Sequence, residues 1–123
     1  MKIILAIGAG SFAGGILRYL LTQFIDTKTV SAFPFGTLTV NIIGCFLIGV
    51  IFTWITNTTI TPDWGLFLTT GFLGGFTTFS AFSIESIGLM RNGNTGLAVT
   101  YILISVIAGL LACYTGFILF RKG

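Results

Sequence analysis

The chain has 123 residues, 54% of them hydrophobic and only 7% charged, with a formal net charge of +3. A soluble domain carries about 25% charged residues, so this composition excludes a water-soluble globule and puts the chain in the membrane class. The absence of histidine removes the usual metal ligand and general base. The thinly spread cations make no basic patch, which excludes nucleic acid as a partner.

Taken in order, the first apolar run covers about residues 3–25. Its opening, MKIILAIGAGSFAGG, has the lysine, apolar stretch and small residues of a signal peptide. The run then resumes through Arg18 to Ile25, for a total of about 23 residues, and so reads as a membrane span. Three further runs follow at about 35–56, 64–90 and 96–120. The breaks between them hold turn formers: Asp26-Thr27-Lys28, Asn57-Thr58-Thr59 and Asn92-Gly93-Asn94. Each run exceeds the ~20 residues needed to cross ~30 Å of hydrocarbon. The expected fold is an all-α membrane protein, residues 1–123 forming a single four-span domain. Cys45 and Cys113 lie inside apolar runs and read as small buried hydrophobes, and the Asn57 sequon reads as chance.

Four crossings put Lys2, Arg121 and Lys122 on one face and Lys28 and Arg91 on the other, with Arg18 leaning toward the second. The positive-inside rule then has almost nothing to act on. Either the chain simply has few charges, or it inserts both ways and pairs with an inverted copy. Small residues at four-residue spacing mark close packing in lipid: Gly10 and Gly14, Gly71 and Gly75, and the row Ala108, Ala112, Gly116. Four spans enclose a pore poorly, which favours an oligomer.

Polar and aromatic groups gather at overlapping depths. At 1.5 Å per helical residue, Asn41 lies about 7–8 Å below the Arg91 face. Tyr101 lies at a similar depth and Ser105 one turn deeper on the same side of its helix. Phe82 lies about 12 Å from that face and Phe79 one turn deeper. Each has a plainer alternative: Asn41 as inter-helix glue, Tyr101 as an interfacial anchor, Phe79 and Phe82 as lipid-facing rings. Asn41, Ser80, Ser105 and Tyr101 offer N–H or O–H donors, and a phenyl edge carries the positive part of its quadrupole. Such a set suits a small, strongly hydrated anion. Arg18 and Glu85 are the only charges well inside spans; mutual pairing would explain both.

The third run carries GFLGGFTTFSAFS at 71–83, with three glycines and four hydroxyls in thirteen positions. Gly74 and Gly75 can adopt conformations that other residues resist. Thr77, Thr78 and Ser80 can bond locally and compete with the helical ladder. The expectation is a helix broken near its centre. Carbonyls freed there must be satisfied by protein, water or an ion, and are good ligands for a monovalent cation.

GGILRY (14–19), GTLTVNIIG (36–44) and GFLGGFTTFSAF (71–82) closely resemble the signatures of the CrcB/Fluc family of fluoride channels, along the whole chain and in the same order. The resemblance implies an inverted, dual-topology homodimer with two fluoride pores in the bacterial plasma membrane. It implies a structural, non-permeating sodium ion held by the carbonyls of Gly74 and Thr77. It makes Phe79 and Phe82 pore-lining aromatics, Asn41 the pore asparagine, and Tyr101 and Ser105 the start of a polar track in the fourth span. The family's motif often reads TTFSTF, whereas Ala81 stands here, so a hydroxyl is lost. The far end of the track is open, with Thr115 a candidate and Leu111 interrupting it. The function implied is passive fluoride export that relieves fluoride toxicity, without enzymatic chemistry. Two alternatives stand beside it: a proton-coupled exporter like the small multidrug resistance family, with Glu85 as its acid, and a structural bundle subunit.

Overall fold

A backbone crossing hydrocarbon has no water to bond, so each apolar run satisfies its own amides as helix. The computed structural model describes residues 1–121, all helix and connecting loop; Lys122, one of the cations counted above, lies outside the described residues. The elements are α1 (Lys2–Thr29), α2 (Phe35–Asn57), α3 (Pro62–Leu66), a π-helical segment (Phe67–Leu73), α4 (Gly74–Phe76), α5 (Phe79–Arg91) and α6 (Thr95–Leu119). Four helical stretches are long and apolar enough to cross a membrane: Lys2–Thr29, Phe35–Asn57, Pro62–Arg91 and Thr95–Leu119. They overrun the apolar runs by a few residues. Thus α1 continues through Asp26 to Thr29, with Lys28 in its last turn, where the helix dipole favours a cation.

The third stretch is the irregular one. Pro62 starts α3, with Asp63 in the first turn. The wider π turn follows and leads into α4. Thr77 (φ −97°, ψ 159°) and Thr78 (φ −152°, ψ 119°) are extended, and α5 begins after them. Gly74 is ordinary right-handed helix (φ −61°, ψ −38°) and Gly75 lies within α4. Glycine freedom is therefore not what interrupts the ladder. The extended residues are two β-branched threonines, which favour that conformation. Among the described residues the glycine at positive φ is Gly93 (φ 82°), in the turn between α5 and α6.

The glycines at 71 and 75 serve packing instead. A Cβ on Gly75 would lie 2.6 Å from the Ser11 carbonyl oxygen, and one on Gly71 2.9 Å from that of Ile7. From the other side, a Cβ on Gly10 would lie 2.6 Å from the Phe67 carbonyl oxygen, and one on Gly14 would overlap the Phe72 carbonyl. The two GxxxG pairs are thus opposite walls of one seam between α1 and the third stretch.

The second seam joins α2 and α6. A Cβ on Gly49 would overlap the Cys113 carbonyl, and one on Gly116 the Phe46 carbonyl. Gly109 and Gly116 are buried, whereas Ala108 and Ala112 are half-buried. The small row expected at 108, 112 and 116 is therefore rotated toward Gly109, and α2 supplies glycines of its own.

Candidate functional site

The extended pair is held from outside its own helix. Asn41, on α2, meets the Thr78 peptide with both ends of its amide: Nδ2–H donates to the Thr78 carbonyl (3.0 Å), and Oδ1 accepts the Thr78 N–H (2.8 Å). One turn along α2, Gly44 leaves room for the Thr77 methyl, which a Cβ there would overlap. The Thr77 N–H and hydroxyl both donate to the Leu73 carbonyl, at 3.0 and 2.9 Å. The Thr78 hydroxyl caps α5 by accepting the Ala81 N–H at 3.1 Å. Asn41 is thus the inter-helix link that one reading of the sequence anticipated.

These bonds leave two carbonyls without their usual donors. In a continuous helix the Gly74 carbonyl would accept the Thr78 N–H, and the Thr77 carbonyl the Ala81 N–H. Asn41 holds the first donor and the Thr78 hydroxyl holds the second. Gly74 precedes the interruption, Thr77 opens it, and both residues line a common cavity.

That cavity, of about 420 Å³, is open on one side and lined by α2, α6 and both sides of the interruption. Asn41, Gly74, Thr77, Phe79, Phe82 and Ser105 all face it. The buried Ser105 hydroxyl there has no hydrogen-bond partner among the described residues. The rings of Phe79 and Phe82 lie 5.5 Å apart, and Phe82 lies 5.2 Å from Tyr101. Phe79 is 78% exposed in the single chain.

The family model described as "CrcB-like protein, Camphor Resistance (CrcB)" matches residues 5–117. The chain belongs to the CrcB family. It is 43% identical over 122 residues to the "Fluoride-specific ion channel FluC" of Rhizobium meliloti (strain 1021), covering 98% of each chain. It is 47% identical over 116 residues to the protein of the same name from Phocaeicola vulgatus, covering 94% of this chain and 96% of that one. The "Fluoride-specific ion channel FluC 1" of Listeria innocua is 38% identical over 115 residues, 94% of each chain. These CrcB relatives are named as ion channels and not as enzymes.

Not every residue singled out in this CrcB chain reaches the cavity. Ser80 is exposed, its hydroxyl 3.2 Å from that of Thr78. Tyr101 is fully buried behind Phe82 and does not line the cavity, so it is no interfacial anchor; its hydroxyl donates to Glu85 Oε1 (3.1 Å). Thr115 is exposed and donates to the Leu111 carbonyl of its own helix.

Arg18 and Glu85 do not pair. Arg18 Nε–H donates to the Gly75 carbonyl (3.1 Å). The Glu85 carboxylate accepts from Tyr101 and from the Thr37 hydroxyl (2.9 Å). Two charges in neighbouring spans pair only if the helix faces bring them together. Here each finds a neutral partner first. Thr37 and Gly44 were missed in the sequence. Their signal was present: Thr37, Asn41 and Gly44 sit at i, i+4 and i+7, one stripe of α2.

Proposed function

We propose that this CrcB protein is a passive, fluoride-specific channel of the bacterial plasma membrane, working as an inverted homodimer. The observation that carries the reading is the cavity, which brings together Asn41, Ser105, Phe79 and Phe82. Ser105 presents a hydroxyl free to donate. Asn41 spends one N–H on Thr78 and keeps another. The ring edges add weak positive potential without a full charge that would trap an anion. Fluoride is small and hard enough to exchange water for such donors, and the names of the relatives support that choice of ion.

The cavity is open on one side, and Phe79, one of its lining residues, is exposed in the single chain. A second copy would close that side, and the even split of cations between the faces supports an inverted arrangement. The carbonyls of Gly74 and Thr77, which lose their helical donors, fit a sodium ion shared by two copies. When bound, such an ion supplies positive charge that oxygen lone pairs at membrane depth otherwise lack. The physiological role follows from acid chemistry. HF enters cells by diffusion and ionises at cytoplasmic pH, and the channel lets the trapped anion leave down its gradient. Membership of the CrcB family weighs against the multidrug-exporter alternative, as does the tie of Glu85 to Thr37 and Tyr101.

Proteoliposomes loaded with fluoride and followed with a fluoride electrode test the reading. Electrically shunted vesicles should release fluoride without a proton gradient and retain chloride. Release that demands proton exchange, or none at all from folded protein, would overturn it. Replacing sodium by a large organic cation should lower both flux and thermal stability.

A further inference from the structure

Arg18 has no role in the cavity, yet a guanidinium inside a span is costly and calls for a partner that rewards it. Its position follows from the first seam. Gly10, Gly14 and Arg18 stand at successive four-residue steps on one face of α1. The glycines bring that face into backbone contact with Phe67, Gly71 and Phe72. One turn further on, Arg18 meets the end of α4, and Nε–H donates to the Gly75 carbonyl at 3.1 Å. In an unbroken helix the Phe79 N–H would serve that carbonyl. The extended Thr77 and Thr78 interrupt the ladder that would deliver it.

We propose that Arg18 is a positioning residue that clamps the α4 side of the interruption, as Asn41 clamps the α5 side. Between the two jaws the carbonyls divide into two sets. Gly75 and Thr78 are held by side chains of α1 and α2. Gly74 and Thr77 lose their helical donors and face the cavity. Holding Gly75 fixes the orientation of the last turn of α4, and with it the direction of the neighbouring Gly74 carbonyl. Arg18 does not touch the anion in this role. The inference rests on the sodium reading above for its functional consequence, but the clamp itself does not.

Two substitutions separate the hydrogen bond from the charge. In Arg18→Gln the amide nitrogen sits the same number of bonds from Cα as Arg Nε, so it keeps a donor at Gly75 and loses the charge. Arg18→Met keeps a similar stem and loses both. A hydrogen bond from a charged donor is worth enough to shift an equilibrium by about tenfold or more. Hydrogen exchange of the Thr78 and Ala81 amides, in dimer held in detergent, should therefore quicken at least about tenfold in Arg18→Met and clearly less in Arg18→Gln, which keeps a neutral donor. The sodium concentration giving half of the thermal stabilisation should rise by a similar factor in Arg18→Met alone. Parent-like exchange in folded Arg18→Met would overturn the clamp. So would equal quickening in both variants, which would assign the effect to charge, or a glutamine variant that fails to fold. A parent protein without sodium dependence, whose exchange still follows the same pattern in the two variants, would sink the sodium reading and leave the clamp standing.

Discussion

The two seams of this protein use the same residue to different ends. Between α2 and α6, Gly49 and Gly116 let two uninterrupted helices touch backbone to backbone. The polar addition there is small: the buried Thr53 hydroxyl shares its one proton between the Gly49 carbonyl in its own helix (3.0 Å) and the Phe117 carbonyl across the seam (3.2 Å). Between α1 and the third stretch, Gly10, Gly14, Gly71 and Gly75 achieve an equally close approach. Here, however, one partner contains a π turn and two extended residues. Freed peptide groups then recruit polar side chains from both neighbouring helices, Arg18 and Asn41. Glycine contact alone makes a seam; a cavity beside carbonyls that have lost their helical donors needs an interrupted helix and side chains to hold it.

The comparison breaks most severely at the glycines. Gly75→Val places side-chain atoms where the Ser11 backbone already lies, and a seam of backbone has no rotamer to yield. The expected cost is about 3 kcal/mol or more, seen as loss of monodisperse protein and a collapse of the thermal transition. A Gly75→Val protein with parental yield and stability would mean that the close approach is not real.

Asn41 comes next. Asn41→Leu keeps the size and strips both bonds from the Thr78 peptide, at a cost of about 1–3 kcal/mol for each group left unpaired. Asn41→Asp restores an acceptor for the Thr78 N–H but removes the donor and adds a negative charge beside the cavity. Fluoride efflux should fall at least about tenfold in both. The aspartate variant should unfold closer to the parent temperature than the leucine variant. Near-normal efflux in Asn41→Asp would remove Asn41 from the path and leave it as a clamp only.

The aromatic pair separates packing from conduction. Phe79→Ile and Phe82→Ile retain apolar bulk and lose the ring edge. Flux should drop sharply in both, while the unfolding midpoint moves little for Phe79, which is 78% exposed in the single chain. Parental efflux in both would reduce the rings to filler.

The smallest effect belongs to the regular seam. Thr53→Val is nearly isosteric and removes the shared hydroxyl. Polar contacts between helices in membranes are worth about 0.6 kcal/mol on average and rarely above about 1.7 kcal/mol. A loss in that range, with unchanged flux per folded protein, is expected from denaturation and efflux measured side by side. A large loss of flux would show that the α2–α6 seam takes part in conduction after all.

The spans were legible because hydrocarbon forces apolar runs of that length into helix. The small-residue pairs at 10, 14, 71 and 75 were legible as packing surfaces, since four-residue spacing defines a helix face. Which walls met was not. Nothing in the spacing says that Gly10 and Gly14 face the third stretch, or that Gly116 faces Phe46 of α2. The polar cluster was partly legible: depth counting put Asn41, Ser105, Phe79 and Phe82 together because rise per residue is constant. It also gathered Tyr101, which shares the depth and does not line the cavity. Depth is a one-dimensional coordinate, and rotation about each helix axis is set by packing.

Local chemistry alone therefore determined that this chain spans a membrane in four helices and concentrates its hydroxyls, amide and rings in one layer. Tertiary structure decided the rest. It placed the extended residues at Thr77 and Thr78 and left Gly74 and Gly75 helical: the α1 backbone fills the space beside Gly75, and Asn41 offers an alternative partner to Thr78. It sent Arg18 to a carbonyl and Glu85 to two hydroxyls, because charges in a low-dielectric interior bind whatever partner the helix rotations present first.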